Sequence, residues 1–178
     1  YPTDTVYGLG CDIFNKQAVE RVCQLKGVKL QKMNFSFICS DLSNISDYTM
    51  NVSTPTYKLM KRCLPGPYTF ILRANNAVPK LFKNNKKTVG IRVPDNPITR
   101  TIVQELGHPI LTTSVHHEDD IIDYITEPSA IFERYENLVD IVIDGGTGGY
   151  HPSTIIDCTE DEPIVVREGA GEVEDLFY

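Results

Sequence analysis

Lys26, Lys29 and Lys32 place three ammonium groups within seven residues. Such a cluster can neutralise a polyphosphate. It equally describes a solvated loop in which Lys26 sits favourably at a helix C-terminus. Arg92 lies in Thr88-Val89-Gly90-Ile91-Arg92-Val93-Pro94, a stretch patterned as a strand. A guanidinium among apolar neighbours is costly unless an anion meets it, and either a ligand carboxylate or a structural aspartate would serve. The run Pro2-Thr3-Asp4-Thr5-Val6-Tyr7-Gly8-Leu9-Gly10 combines hydroxyls, an acid and glycines. Hydroxyls and glycine amides suit a phosphate or a small polar ligand, and they also make ordinary polar turns. Thr112-Thr113-Ser114 closes an expected strand, where sheet proteins often place ligands. Pro152-Ser153-Thr154-Ile155-Ile156-Asp157, followed by Arg167, completes the set of polar candidates.

Other chemistries lack their signatures. The chain has no G-x-x-x-x-G-K-S/T, no G-x-G-x-x-G after a strand, no H-E-x-x-H and no G-x-S-x-G. His116-His117 precedes Glu118-Asp119-Asp120, but neighbours on a strand point to opposite sides, so no metal site is expected from protein ligands alone. The five cysteines, Cys11, Cys23, Cys39, Cys63 and Cys158, are widely spaced with no C-x-x-C. They read as buried, reduced thiols. Net charge is −7, unevenly spread: residues 1–100 carry 15 Lys/Arg against 6 Asp/Glu, and residues 101–178 carry 2 against 18. The acidic total argues against indiscriminate nucleic-acid binding and leaves room for a local basic cavity. No apolar run approaches the roughly 20 residues of a membrane helix, and no signal peptide is visible, so a cytoplasmic protein is expected. The chain opens on Tyr1 without Met, and a short segment with a strand is expected ahead of it.

The elements that must position these residues alternate along the chain. Helices are expected over Lys16 to Lys26, capped by Asn15 and closed by Gly27; over Ser40 to Asp47; from the Thr54-Pro55 cap to Leu64; over Val78 to Lys83; from the Asn96-Pro97 cap to Leu106; and over Pro128 to Glu136. Strands are expected at Phe35–Cys39, Tyr68–Ala74, Lys87–Val93, Ile110–Ser114, Val139–Ile143, Ser153–Cys158 and Pro163–Arg167. Residues from Val115 to Ile125 read as irregular, and Gly145 to Gly149 as a turn. This pattern favours an α/β or α+β fold with a mixed sheet, in one domain over 1–178.

Together, PTDTVYGLG at 2–10, LPGPYTFIL at 64–72, VGIRVP at 89–94, TTS at 112–114, PSTIID at 152–157 and VVREGAG at 165–171 resemble the YrdC/YciO family of threonylcarbamoyl-adenylate synthases. The YciO branch is the nearer match. The resemblance implies a YrdC/RibB-like twisted mixed sheet with helices around a large, positively charged cavity. It implies ATP binding with Mg²⁺, L-threonine and bicarbonate as co-substrates, nucleotidyl transfer, and a link to N6-threonylcarbamoyladenosine in tRNA processing. By resemblance, Thr5, Arg92, Thr112 and Ser153 would face threonine; Lys26, Lys32, Thr88, Ser114 and Arg167 would face the nucleotide. Three positions depart from the family. Its K-x-R becomes Lys26-Gly27-Val28, its S-x-N becomes Ser114-Val115-His116, and Phe37 stands where archaeal-type members carry a histidine. The alternative the resemblance leaves open is a double-stranded RNA- or nucleotide-binding protein without efficient synthesis.

Overall fold

The computed structural model describes residues 1–32, 34–78, 87–115, 124–174 and 176–177. Seven strands form one mixed sheet: β1 (Gly8–Asp12), β2 (Ser36–Ile38), β3 (Tyr68–Arg73), β4 (Thr88–Arg92), β5 (Ile110–Ser114), β6 (Thr154–Asp157) and β7 (Ile164–Arg167). Their spatial order is β1-β5-β2-β4-β3-β6-β7. The β2–β4 and β3–β6 pairs are parallel, and the other four are antiparallel. Four α-helices accompany the sheet among the described residues: α1 (Lys16–Leu25), α2 (Thr54–Cys63), α3 (Pro97–Leu106) and α4 (Pro128–Tyr135).

Three of these four helices start where a side chain caps exposed backbone donors, and α4 starts on Pro128 without such a cap. Asn15 and Asn96 accept the N–H groups of Ala18 and Thr99. The α2 cap is Ser53 rather than Thr54, because its oxygen accepts the Thr56 N–H at 3.3 Å and the helix gains a residue. Val19, Val22 and Cys23 give α1 its buried stripe; Leu59, Met60 and Cys63 do so for α2, and Ile131 and Tyr135 for α4. These stripes meet Phe37, Phe70, Ile91, Leu111 and Ile156 in the main core. Alternation along the strands sends those sheet residues to one face, leaving the other face to most of the polar side chains together with Ile38, Ile71, Ile110 and Ile155. At one end of that second face, α3 packs Val103 against Ile38 and Ile110.

Several expectations change. Gly8–Asp12 forms an edge strand that the glycine-rich polar run did not announce. The expected strand at Val139–Ile143 joins no ladder. Its Val139 and Val142 pack on the core while Ile141 stays exposed, and the run lines a slot against Ala18, Val22 and Leu25 of α1. Side-chain burial, not backbone pairing, places it. The helix expected over Ser40 to Asp47 contracts to a single 3₁₀ turn, Ile45–Asp47. Most of the Val78–Lys83 helix and of the acidic stretch from Val115 to Ile125, with His116 and His117, lies outside the described residues. No helix among those described is long and apolar enough to cross a membrane.

Candidate functional site

Strand register gathers the predicted polar residues. Gly8 and Gly10 stand across from Ser114 and Thr112. Thr112 stands across from Ser36, and Ser36 from Gly90. Gly90 pairs with Ile71, which pairs with Asp157. Directly paired residues share a face, so Thr88, Arg92, Thr112 and Ser114 all lie on the face away from the main core. Gly90 keeps this face close-knit: a Cβ there would stand 2.3 Å from the Ser36 hydroxyl oxygen.

Three local clusters stand on this face. In the first, Arg92, 7% exposed, donates from Nη2 to Asp4 Oδ1 at 2.5 Å, to Thr5 Oγ1 at 2.7 Å and to Thr3 Oγ1 at 3.1 Å. Of the two partners open to Arg92 on sequence, the aspartate is present, and it is Asp4. The turn carrying it is tied by its own bonds: the Thr5 N–H donates to Thr3 Oγ1, the Thr3 hydroxyl to Val6 O, and the Gly149 N–H to Thr5 O. Arg92 Nε and Asp4 Oδ2 are both buried without a partner.

In the second cluster, the Ser153 and Thr69 hydroxyls meet at 2.8 Å, and Arg167 Nη2 donates to Ser153 O at 2.7 Å. Arg167 Nε is also buried without a partner. A β-bulge between Ile155 and Ile156 sets Arg167 opposite Ile155, on the site face. Gly169 then passes so close that a Cβ would lie 2.2 Å from Pro152 O. The Thr154 hydroxyl accepts from the Gly169 N–H and donates to Gly171 O. The motif stretches thus interlock, with Thr154 N–H on Pro67 O and Gly66 N–H on Val93 O.

In the third, Lys26 Nζ reaches from the end of α1 to Ser114 O at 2.9 Å. Partial burial pushes the Lys26 ammonium below its ordinary range. The Thr112 hydroxyl is bonded to the Tyr1 phenol, and burial raises that phenol to about 12. Thr88 lines a cavity of about 810 Å³ beside Ser36, Thr69, Arg73, Lys87 and Asp157. Lys32 is exposed on a 3₁₀ turn. So Thr5, Arg92, Thr112, Ser114, Ser153 and Arg167 stand on or against one face with Thr88; Lys26 reaches the β5 backbone from α1, which packs on the main core, and Lys32 is exposed. Sequence reasoning left Asp4, Thr69 and Tyr1 without roles. Asp4 was within reach of it, since a buried arginine elsewhere demands an acid.

The chain matches the Sua5/YciO/YrdC family model, described as telomere recombination, over residues 1–169. It is 43% identical over 175 residues to a protein of Escherichia coli K12 named YciO, covering 98% of this chain and 84% of that protein. The YciO crystal structure superposes with a TM-score of 0.91, covering 100% of this chain and 85% of that one. A threonylcarbamoyl-AMP synthase of Bacillus subtilis is 31% identical over 171 residues, 95% of this chain and 49% of that protein. A Pyrococcus abyssi Sua5 structure complexed with L-threonine has a TM-score of 0.88 at 27% identity, covering 98% of this chain and 51% of that one. The chain therefore spans about half the length of these last two proteins.

Proposed function

We propose, from the premise that the chain belongs to the Sua5/YciO/YrdC family, that it binds an amino acid and MgATP and forms threonylcarbamoyl-adenylate. The single observation that carries this reading is the placement of Arg92 and Arg167 on one polar face, each with a buried Nε–H lacking an acceptor. Such donors are costly unless an acceptor reaches them, and an anionic ligand supplies one that also meets the guanidinium charge. The Pyrococcus relative solved with L-threonine supports threonine as the amino acid, and the synthases among the relatives support the reaction.

In this reading Arg92 takes the threonine carboxylate, and the hydroxyls of Thr5, Thr112 and Ser153 orient the substrate. Lys26, Lys32, Thr88, Ser114 and Arg167 serve the nucleotide. Mg²⁺ enters with ATP, held by phosphate oxygens. The threonine nitrogen attacks the bicarbonate carbon, a C–O bond breaks, and water leaves to give a carbamate. A carbamate oxygen attacks the α-phosphorus, the new P–O bond forms as the bond to the bridging oxygen breaks, and pyrophosphate leaves. Positioning and charge neutralisation supply the catalysis, with no protein nucleophile. The product would feed N6-threonylcarbamoyl modification of tRNA in the cytoplasm. The test is pyrophosphate release by purified protein with ATP, bicarbonate and threonine. Release above background only when threonine is present supports the reading; threonine-independent background refutes it.

One observation favours a second reading. Val28, at the position of the family's arginine, is 39% exposed and carries no charge to hold phosphate. A YciO-type domain that binds double-stranded RNA or nucleotide without synthesis would tolerate this. Its RNA affinity should fall steeply with salt through counterion release; salt-insensitive or absent binding refutes it.

A further inference from the structure

We propose that Asp4 is an internal counter-ion, occupying Arg92 in the free protein and yielding it to the carboxylate of an incoming amino acid. The proposal rests on the amino-acid-binding reading above. Arginine and carboxylate, left unconstrained, pair through two parallel hydrogen bonds. Here the pair is end-on: Nη2 meets Oδ1 at 2.5 Å, while Nε on one side and Oδ2 on the other are buried and unsatisfied. The two hydrogens of Nη2 are moreover shared among three acceptors, Asp4, Thr3 and Thr5. Arg92 is thus crowded at one nitrogen and idle at another.

The turn that carries Asp4 does not need Arg92. Thr3 bonds to Val6 O and to the Thr5 N–H, and Gly149 holds Thr5 O. Turning the guanidinium away leaves all three bonds in place. A carboxylate that engages Nε together with a terminal nitrogen satisfies the idle donor, which Asp4 does not do. It must also overcome Asp4, since two carboxylates on one guanidinium repel each other. Asp4 therefore sets a threshold: an anion that cannot grip Arg92 at two points does not displace it.

The test is calorimetric titration of the full chain with L-threonine, comparing wild type with Asp4→Asn. Asn keeps an oxygen for Arg92 and removes the competing charge. The dissociation constant should fall at least fivefold in Asp4→Asn. An unchanged or raised constant overturns the proposal, because Asp4 would then be a scaffold or a direct substrate contact. Should Asp4→Asn not fold, the wild-type spectrum decides, with Arg92→Lys serving only to assign the resonance. Among the arginine Nε–H resonances, the one absent in Arg92→Lys must shift downfield and gain exchange protection as threonine is added; if none moves, the proposal falls. If wild type binds no threonine by either method, the functional reading fails first and takes this inference with it.

Discussion

Removing Arg92 should cost far more than removing an average surface charge. Its side chain is 9% exposed and that of Asp4 is 10% exposed, 2.5 Å apart. Arg92→Ala leaves the Asp4 carboxylate in a site where Oδ2 already lacks a donor. Breaking a buried pair by deleting one partner costs about 3–5 kcal/mol, a large share of the roughly 5–15 kcal/mol that holds a domain together. For a chain of this size that predicts a melting point lower by roughly 6–20 °C. Urea unfolding read by circular dichroism gives the loss directly. Arg92→Ala/Asp4→Asn should recover at least ~1 kcal/mol, because no charge is then stranded. The control is Arg21→Ala, whose partner Asp140 is 94% exposed; it should change stability by less than about 1 kcal/mol. The reasoning is refuted if Arg92→Ala costs no more than Arg21→Ala, or if the double variant is no more stable than the single one.

Three shorter predictions follow from neighbouring features. Gly90→Val would force a side chain into Ser36 and Phe35 O; it should cost about 1–3 kcal/mol and abolish threonine-induced thermal stabilisation, checked by a melting series. Burial holds the thiols of Cys11, Cys39 and Cys158 at about 12, so on the order of one in ten thousand is thiolate at pH 8; iodoacetamide mass spectrometry should find them unmodified in native protein and alkylated in denaturant. The Lys26 ammonium is pushed below 10.5 by burial. A lowered folded value means the charged form opposes folding, so this penalty is full below the folded value and lifts as pH rises toward 10.5. Wild type should therefore gain stability relative to Lys26→Met over that alkaline window, and parallel pH profiles would contradict it.

Much of the architecture was written in local signals. Asn15 and Asn96 announced α1 and α3 because a short polar side chain can satisfy free N–H groups. Ile110–Ser114 was readable to the residue, since apolar and polar positions switch abruptly at its ends. Gly8–Asp12 was not, because two glycines remove the side chains on which periodicity depends; only the pairing with β5 makes it a strand. Val139–Ile143 misled in the opposite sense, because an apolar run states that it is buried but not that it has a ladder partner. At the candidate site, the residue types were legible while the partnerships were not. Arg92 and Asp4 are 88 positions apart, and nothing local in either stretch names the other.

The irregularity in β7 has an effect beyond aiming Arg167. This strand closes one side of the sheet, and Ile164 and Val166 stand 61% and 58% exposed on it. A straight, greasy border of that kind invites another chain to zip on. The extra residue bends and overtwists the border, so a second molecule cannot match it hydrogen bond for hydrogen bond. Straightening the strand by excising Val166 would trade solubility for self-association, whatever happened to ligand binding.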